Sequence, residues 1–152
     1  MILKHTASLI ASLTISLILS SYSLLSFAQE NTSYEMDNYI IYYNVFNSTM
    51  IPADVAKTYN LVRGNDRVYV NIALVKKTGG NGIAANINGA HRNLMQQKYP
   101  LKFIEIKEAT AVYYLAPIRF NNEEVLHIDI DVSNLEKTET AAFTITKKLY
   151  KN

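Results

Sequence analysis

One stretch of the chain, residues 67–77 (Arg-Val-Tyr-Val-Asn-Ile-Ala-Leu-Val-Lys-Lys), carries the clearest strand pattern. A strand alternates its side chains, so Val68, Val70, Ile72 and Leu74 share one face and Tyr69, Asn71, Ala73 and Val75 the other. Both sets are largely apolar. The pattern therefore predicts a strand that is covered on both faces or placed mid-sheet. Asn71 is the one polar residue inside it. We expect its side chain to bond the backbone of a neighbouring segment, such as the 44–48 exit, and to hold the strand in register.

The rest of the chain is read around that strand. Residues 39–48 are aromatic and β-branched and predict an earlier strand. Pro52 then opens a short helical turn at its first position, Asp54 suits the positive end, and Val55 and Tyr59 lie four apart on one face. Asn60 and Gly64 punctuate the exit. Gly79-Gly80-Asn81-Gly82 predicts a turn with positive φ. Weaker alternation predicts a strand at 83–91, then a connection to Pro100. Strands follow at 101–107, 111–120, 125–132 and 140–150. Pro117 lacks an N–H, so its strand is expected to be an edge or bulged there. Asn121-Asn122 reads as a tight hairpin turn. In 125–132, Leu126, Ile128, Ile130 and Val132 face in, while His127, Asp129 and Asp131 face out. The expected fold is all-β: an immunoglobulin-like antiparallel β-sandwich of about seven strands, with one short helix after the first strand.

The N-terminal region changes the picture of where this domain resides. Lys4 precedes an apolar, Ser-rich run at 9–25, and Ser26-Phe27-Ala28 ends it with small residues at the cleavage spacing. That pattern predicts a signal peptide over 1–28 and a single domain over 29–152, exported to a bacterial periplasm. No Cys follows the run, so no lipid anchor is expected, nor a stable membrane anchor after cleavage. Without Lys4 the net charge falls from +2 to +1, which argues against a nucleic-acid footprint. The chain has no Cys, so an exported domain of this size must rest on its hydrophobic core.

Three constellations could carry chemistry. His127, Asp129 and Asp131 project from one strand face at spacings of two and form a candidate metal set; the same residues are also what the solvated face of an amphipathic strand would carry. Asn44, Asn47 and Asn71 sit in or beside apolar strands and could form an amide-lined cleft, or could satisfy backbone groups. Tyr43, Tyr113 and Tyr114 belong to adjacent-tyrosine pairs that put one ring on each face, so some rings could anchor a partner. His91 reads as a surface residue at a strand end. The chain contains no Gly-x-Ser-x-Gly, His-Glu-x-x-His or phosphate-loop motif, so no catalytic residue and no cofactor is assigned.

Tyr43-Asn44-Val45-Phe46-Asn47-Ser48, Pro52, Val55-Ala56 and Val70-Asn71-Ile72 together give the chain a family resemblance. Arg63, Asn93-Leu94, Glu105-Ile106, Glu108 and Ala111-Val112-Tyr113-Tyr114 extend it. The chain resembles the exported gammaproteobacterial family known as domain of unknown function 4426. The resemblance implies an exported all-β domain and transfers no mechanism. The expected role is a non-enzymatic binding or adaptor module of the cell envelope, with an envelope protein or a glycan as partner. Two alternatives are a metal-binding or metal-dependent hydrolytic protein using His127, Asp129 and Asp131, and an envelope chaperone acting by strand addition near Pro117.

Overall fold

The structure, a computed structural model, describes residues 32–151; the expected leader at 1–28 lies outside them. Among the described residues there are nine strands: β1 (Ser33–Glu35), β2 (Tyr39–Asn47), β3 (Arg67–Lys76), β4 (Ala85–Asn93), β5 (Lys98–Pro100), β6 (Ile104–Lys107), β7 (Val112–Arg119), β8 (Glu124–Asn134) and β9 (Thr140–Leu149). The strands form two antiparallel sheets, ordered β1-β2-β3-β7-β6 and β5-β4-β8-β9. Among the described residues helix is confined to a 3-10 turn (Ser48–Met50) and the six-residue α1 (Ala53–Thr58).

β3 is the middle strand of the larger sheet, between β2 and β7. Its inner residues Val68, Val70, Ile72 and Leu74 share one core with Leu126, Ile128, Ile130 and Val132 of β8. Alternation alone accounts for which residues of these two strands enter the core. Complete burial of each such side chain contributes roughly 1.5–3 kcal/mol, so this inter-sheet layer supplies most of the stability.

The apolar character of β3's other face has a separate cause. Residues 48–66, the connection from β2 to β3, fold back over the outer face of the larger sheet. Ile51, Ala56 and Leu61 of that connection form a second buried cluster with Tyr69, Ile106 and Leu115. A helix of six residues is too short to persist by its own hydrogen bonds, so α1 depends on this packing. It also depends on side-chain hydroxyls. The Tyr69 hydroxyl accepts from the Val62 N–H at 2.9 Å and donates to the Val62 carbonyl at 3.2 Å. The Ser48 hydroxyl does the same with Gly64, both bonds at 2.9 Å. Arg63 adds a bond from its guanidinium to the Thr49 carbonyl at 3.1 Å. A hydroxyl is both donor and acceptor, so one side chain satisfies both backbone groups of a residue that has no strand partner.

The two sides of the sheet pair are closed differently. On one side the chain runs directly from β5 in the smaller sheet to β6 in the larger, and Leu101 and Phe103 of that passage pack against the core. On the other side Tyr34 of β1 stacks on Phe143 of β9 at 5.3 Å, and Tyr43 meets the same ring at 4.9 Å. Gly79 and Gly80 take φ of 95° and 114° in the turn after β3. Gly82 is required for space, since a Cβ there would lie 2.1 Å from the Val112 carbonyl oxygen.

Several expectations are corrected. The described residues hold nine strands, not about seven: β1 lies ahead of the first expected strand, and β5 in the connection before Pro100. Pro52 stands just before the first helical residue instead of occupying it. Asn121-Asn122 is no hairpin, because β7 and β8 belong to different sheets; the left-handed residue there is Glu123, φ 57°. Pro117 fits its expected setting. β6 pairs with β7 only as far as Leu115, so β7 has no partner on that side at Pro117.

If the Tyr69 hydroxyl holds the connection in place, Tyr69→Phe loses both Val62 bonds while the ring packing stays. The expected cost is about 1–3 kcal/mol, read as a lowered melting temperature; an unchanged value would show that packing alone seats the connection.

Candidate functional site

Strand alternation divides the six candidate binding residues between two faces. Asn44 and Asn71 are register partners on the outer face of the larger sheet. Tyr113 belongs to the same face and packs against the outer cluster. Tyr43 and Tyr114 turn inward to the inter-sheet core, and Asn47, paired with inward Val68, lies on their side of the sheet. The six therefore do not form one site. Tyr114 is an internal tie: its hydroxyl accepts from the Ala85 N–H at 2.9 Å and lies 3.0 Å from the Ala85 carbonyl and 2.8 Å from a Glu105 carboxylate oxygen. That links β7 to the start of β4 across the sheets. Tyr43 is held against Phe143, and Asn44 is exposed.

The outer face holds a pocket of about 270 Å³. Phe46, Asn71, Ile106, Tyr113 and Leu115 come from the sheet; Met50, Ile51, Pro52, Val55, Tyr59 and Leu61 come from the connection above it. Val55 and Tyr59 reach the same pocket because helical spacing of four puts them on one face. Met50 is 72% exposed at this site.

Asn71 is the polar exception in the lining. Its Oδ1 is buried and has no hydrogen-bond partner among the described residues. The expected bond to the 44–48 segment is therefore absent, although Asn44 lies directly opposite. The reason is geometric: an outward side chain on a mid-sheet strand points away from backbone groups already engaged in the ladder. Leaving a buried acceptor unpaired costs about 1–3 kcal/mol; Arg67 Nε and His91 Nδ1 are likewise buried without a partner among the described residues.

Tyr113 donates to a Glu108 carboxylate oxygen at 2.9 Å. Burial first, and then the Glu108 carboxylate, push its phenol up to about 12. The hydroxyl therefore keeps its proton at neutral pH. No His, Cys or carboxylate is among the lining residues, so the pocket offers shape, apolar surface, the Asn71 amide and the Tyr59 and Tyr113 phenols, without an acid–base pair.

The metal set does not assemble. His127, Asp129 and Asp131 do alternate outward on β8, but Asp129 receives bonds from Arg92 at 3.3 Å and Thr144 at 2.8 Å, and His127 Nδ1 lies 2.9 Å from the Thr146 hydroxyl. Burial opposes ionisation of Asp129, yet those bonds with the Arg92 and Lys98 charges hold its carboxyl below the usual range. Among the described residues no three His, Cys, Asp or Glu side chains are grouped to hold a metal ion. Residues on a single flat strand lack donors from a second element. His91 is also corrected: it is half-buried and stacked on Tyr99 at 5.3 Å, and burial lowers its basicity.

A larger hollow, about 330 Å³ between residues 34–37 and 138–140, is polar. Its Glu139 carboxylate already accepts from the Asn38 N–H at 3.0 Å and the Asn38 side-chain amide at 2.7 Å. The roof residues Met50, Pro52 and Val55 were missed as site residues in the sequence. The available signal was Met50 and Val55, apolar on either side of Pro52 and ahead of a strand apolar on both faces.

A family model described as a domain of unknown function, DUF4426, matches residues 33–152. Among solved structures the chain is similar to a protein of that family from Pseudomonas aeruginosa, at 25% identity and a TM-score of 0.71, covering 83% of this chain and 99% of that one. No curated protein matches the chain.

Because Asn71 Oδ1 bonds nothing among the described residues, Asn71→Leu exchanges an unpaired buried group for an apolar one of similar size. The melting temperature is expected to stay level or rise. A clear fall would mean that Asn71 has a structural partner.

Proposed function

The chain belongs to the domain of unknown function 4426 family, and on that footing we propose that it is a non-enzymatic binding module of the bacterial cell envelope. It works in the periplasm after removal of residues 1–28, and the leader pattern of the sequence supports this placement. The binding surface is the outer face of the larger sheet beneath residues 48–66. One observation carries the reading: a largely apolar pocket of about 270 Å³ whose lining includes a buried, unpartnered acceptor, Asn71 Oδ1. Convergence of apolar walls on a few polar groups is the usual form of a ligand site. The apolar lining favours an envelope protein over a glycan as partner, because sugar hydroxyls need several polar groups to replace water.

We also read the sheet pair as an immunoglobulin-like sandwich. The strand order supports it: with β1 set aside, β2-β3-β7-β6 opposes β5-β4-β8-β9, the succession of four-stranded sheets that such sandwiches build by crossing over after their second strand. In that scheme the connection after β2 is an elaboration that covers one outer sheet face.

Methyl NMR of the domain with toluene at millimolar concentration tests the site. Shifts are expected at Ile51, Val55, Leu61, Ile106 and Leu115. Binding confined to other surfaces, or no binding, would remove the pocket as the functional site.

A further inference from the structure

We infer that β9 is the contact strand of a symmetric dimer. It pairs antiparallel with β9 of a second copy about a two-fold axis at Thr144 and joins the two smaller sheets into one. The contact is separate from the outer-face pocket, which belongs to the larger sheet.

The edges come first. Each sheet ends in two open strands, β1 and β6 in the larger, β5 and β9 in the smaller. Three of these are short: β1 and β5 have three residues and β6 has four. Short edges are a usual guard against unwanted strand pairing. β9 runs for ten residues without proline or glycine, and Thr140 to Thr146 carry no charge. Among the described residues no backbone hydrogen bond joins 141–146 to any strand but β8. An antiparallel strand turns alternate N–H and C=O groups to each side, so half of those in this segment face outward as a template for another strand.

The side chains agree. Phe143 and Ile145 stand opposite Ile130 and Ile128 of β8. Those two isoleucines are fully buried, whereas Phe143 and Ile145 are only half-buried. A strand added outside β9 would complete their cover.

The sequence of β9 favours a second copy as that strand. Two-fold pairing at Thr144 sets Phe143 opposite Ile145 on the inner face. On the outer face it sets Thr144 opposite its own copy and Ala142 opposite Thr146. An aromatic facing a β-branched residue and a threonine pair are both favourable cross-strand neighbours. Lys147 and Lys148 fall opposite Ala141 and Thr140, so no like charges meet. A two-fold contact is also closed. It uses the long edge of both copies and leaves only short ones, so assembly stops at the dimer.

Sedimentation equilibrium and NMR of the exported protein, from micromolar to millimolar concentration, test this. A strand-edge contact is a small interface, so a weak dimer is expected, its population rising with concentration. The outward amides of β9 should exchange more slowly as it forms, a readout that needs no variant. Thr144 is exposed, so Thr144→Lys and Thr144→Glu should fold, and each sets like charges face to face at the axis. Each alone is expected to weaken the dimer about fivefold, and an equal mixture of the two should restore it. Thr146→Lys sets its charge opposite Ala142 and should dimerise within about twofold of wild type. A monomer at millimolar concentration would overturn the inference and leave the edge to a partner protein's strand. A dimer that protects amides outside β9 would overturn it too. So would a dimer that Thr144→Lys and Thr144→Glu each leave intact, or a mixture of them that stays monomeric.

Discussion

The Tyr69 hydroxyl, pairing with both backbone groups of Val62, is the contact on which the outer half of this domain depends. Tyr69 stands on the central strand of the larger sheet, facing away from the main core. Without an attachment, residues 48–66 would be a long connection with a six-residue helix and no strand partner. Such segments normally lie loose on the surface. Here the ring buries itself under the connection and the hydroxyl supplies the bonds a neighbouring strand would have made. Ser48 repeats the device at the start of the connection with Gly64. Tyr114 applies it on the inner face, where it joins the sheets at Ala85. Three hydroxyls thus stand in for ladder bonds where the chain leaves a sheet.

That arrangement explains why the same strand serves both stability and the candidate site. The inner residues of β3 belong to the inter-sheet core and the outer ones support the connection. Tyr69 and Asn71 are two apart and so share the outer face. One is fully engaged and the other has an unpaired buried oxygen. The connection is held at Val62 and Gly64, and its Met50, Ile51 and Val55 then roof a space over the neighbouring part of the sheet. A fully collapsed connection would leave no such volume, and a detached one would leave Asn71 in water.

Much of this was legible in residue order. The two apolar faces of 67–77 called for cover on both sides, and the cover is there. The alternation of 125–132 located the core side of β8. Pro117 located the place where β7 lacks a partner. What could not be read depended on partners distant in sequence. Nothing in Asn121-Asn122 distinguishes a hairpin from a crossover between sheets; that is decided by which strands pair elsewhere. Asn44 and Asn47 look alike in sequence, but an odd spacing sends them to opposite faces. Asn71 was legible as an exception, while the absence of its bond was not, because that depends on what covers it. His127, Asp129 and Asp131 share a face as the spacing requires, and the neighbouring strands bring Arg92, Thr144 and Thr146 in place of further metal donors.

Native-state hydrogen exchange at the Val62 and Gly64 amides tests most directly whether the connection is an integral, hydroxyl-held layer. The account predicts that both amides exchange slowly, with protection approaching that of the β3 amides. Exchange at the rate of an open surface loop would contradict it, and would take away the roof of the pocket as well.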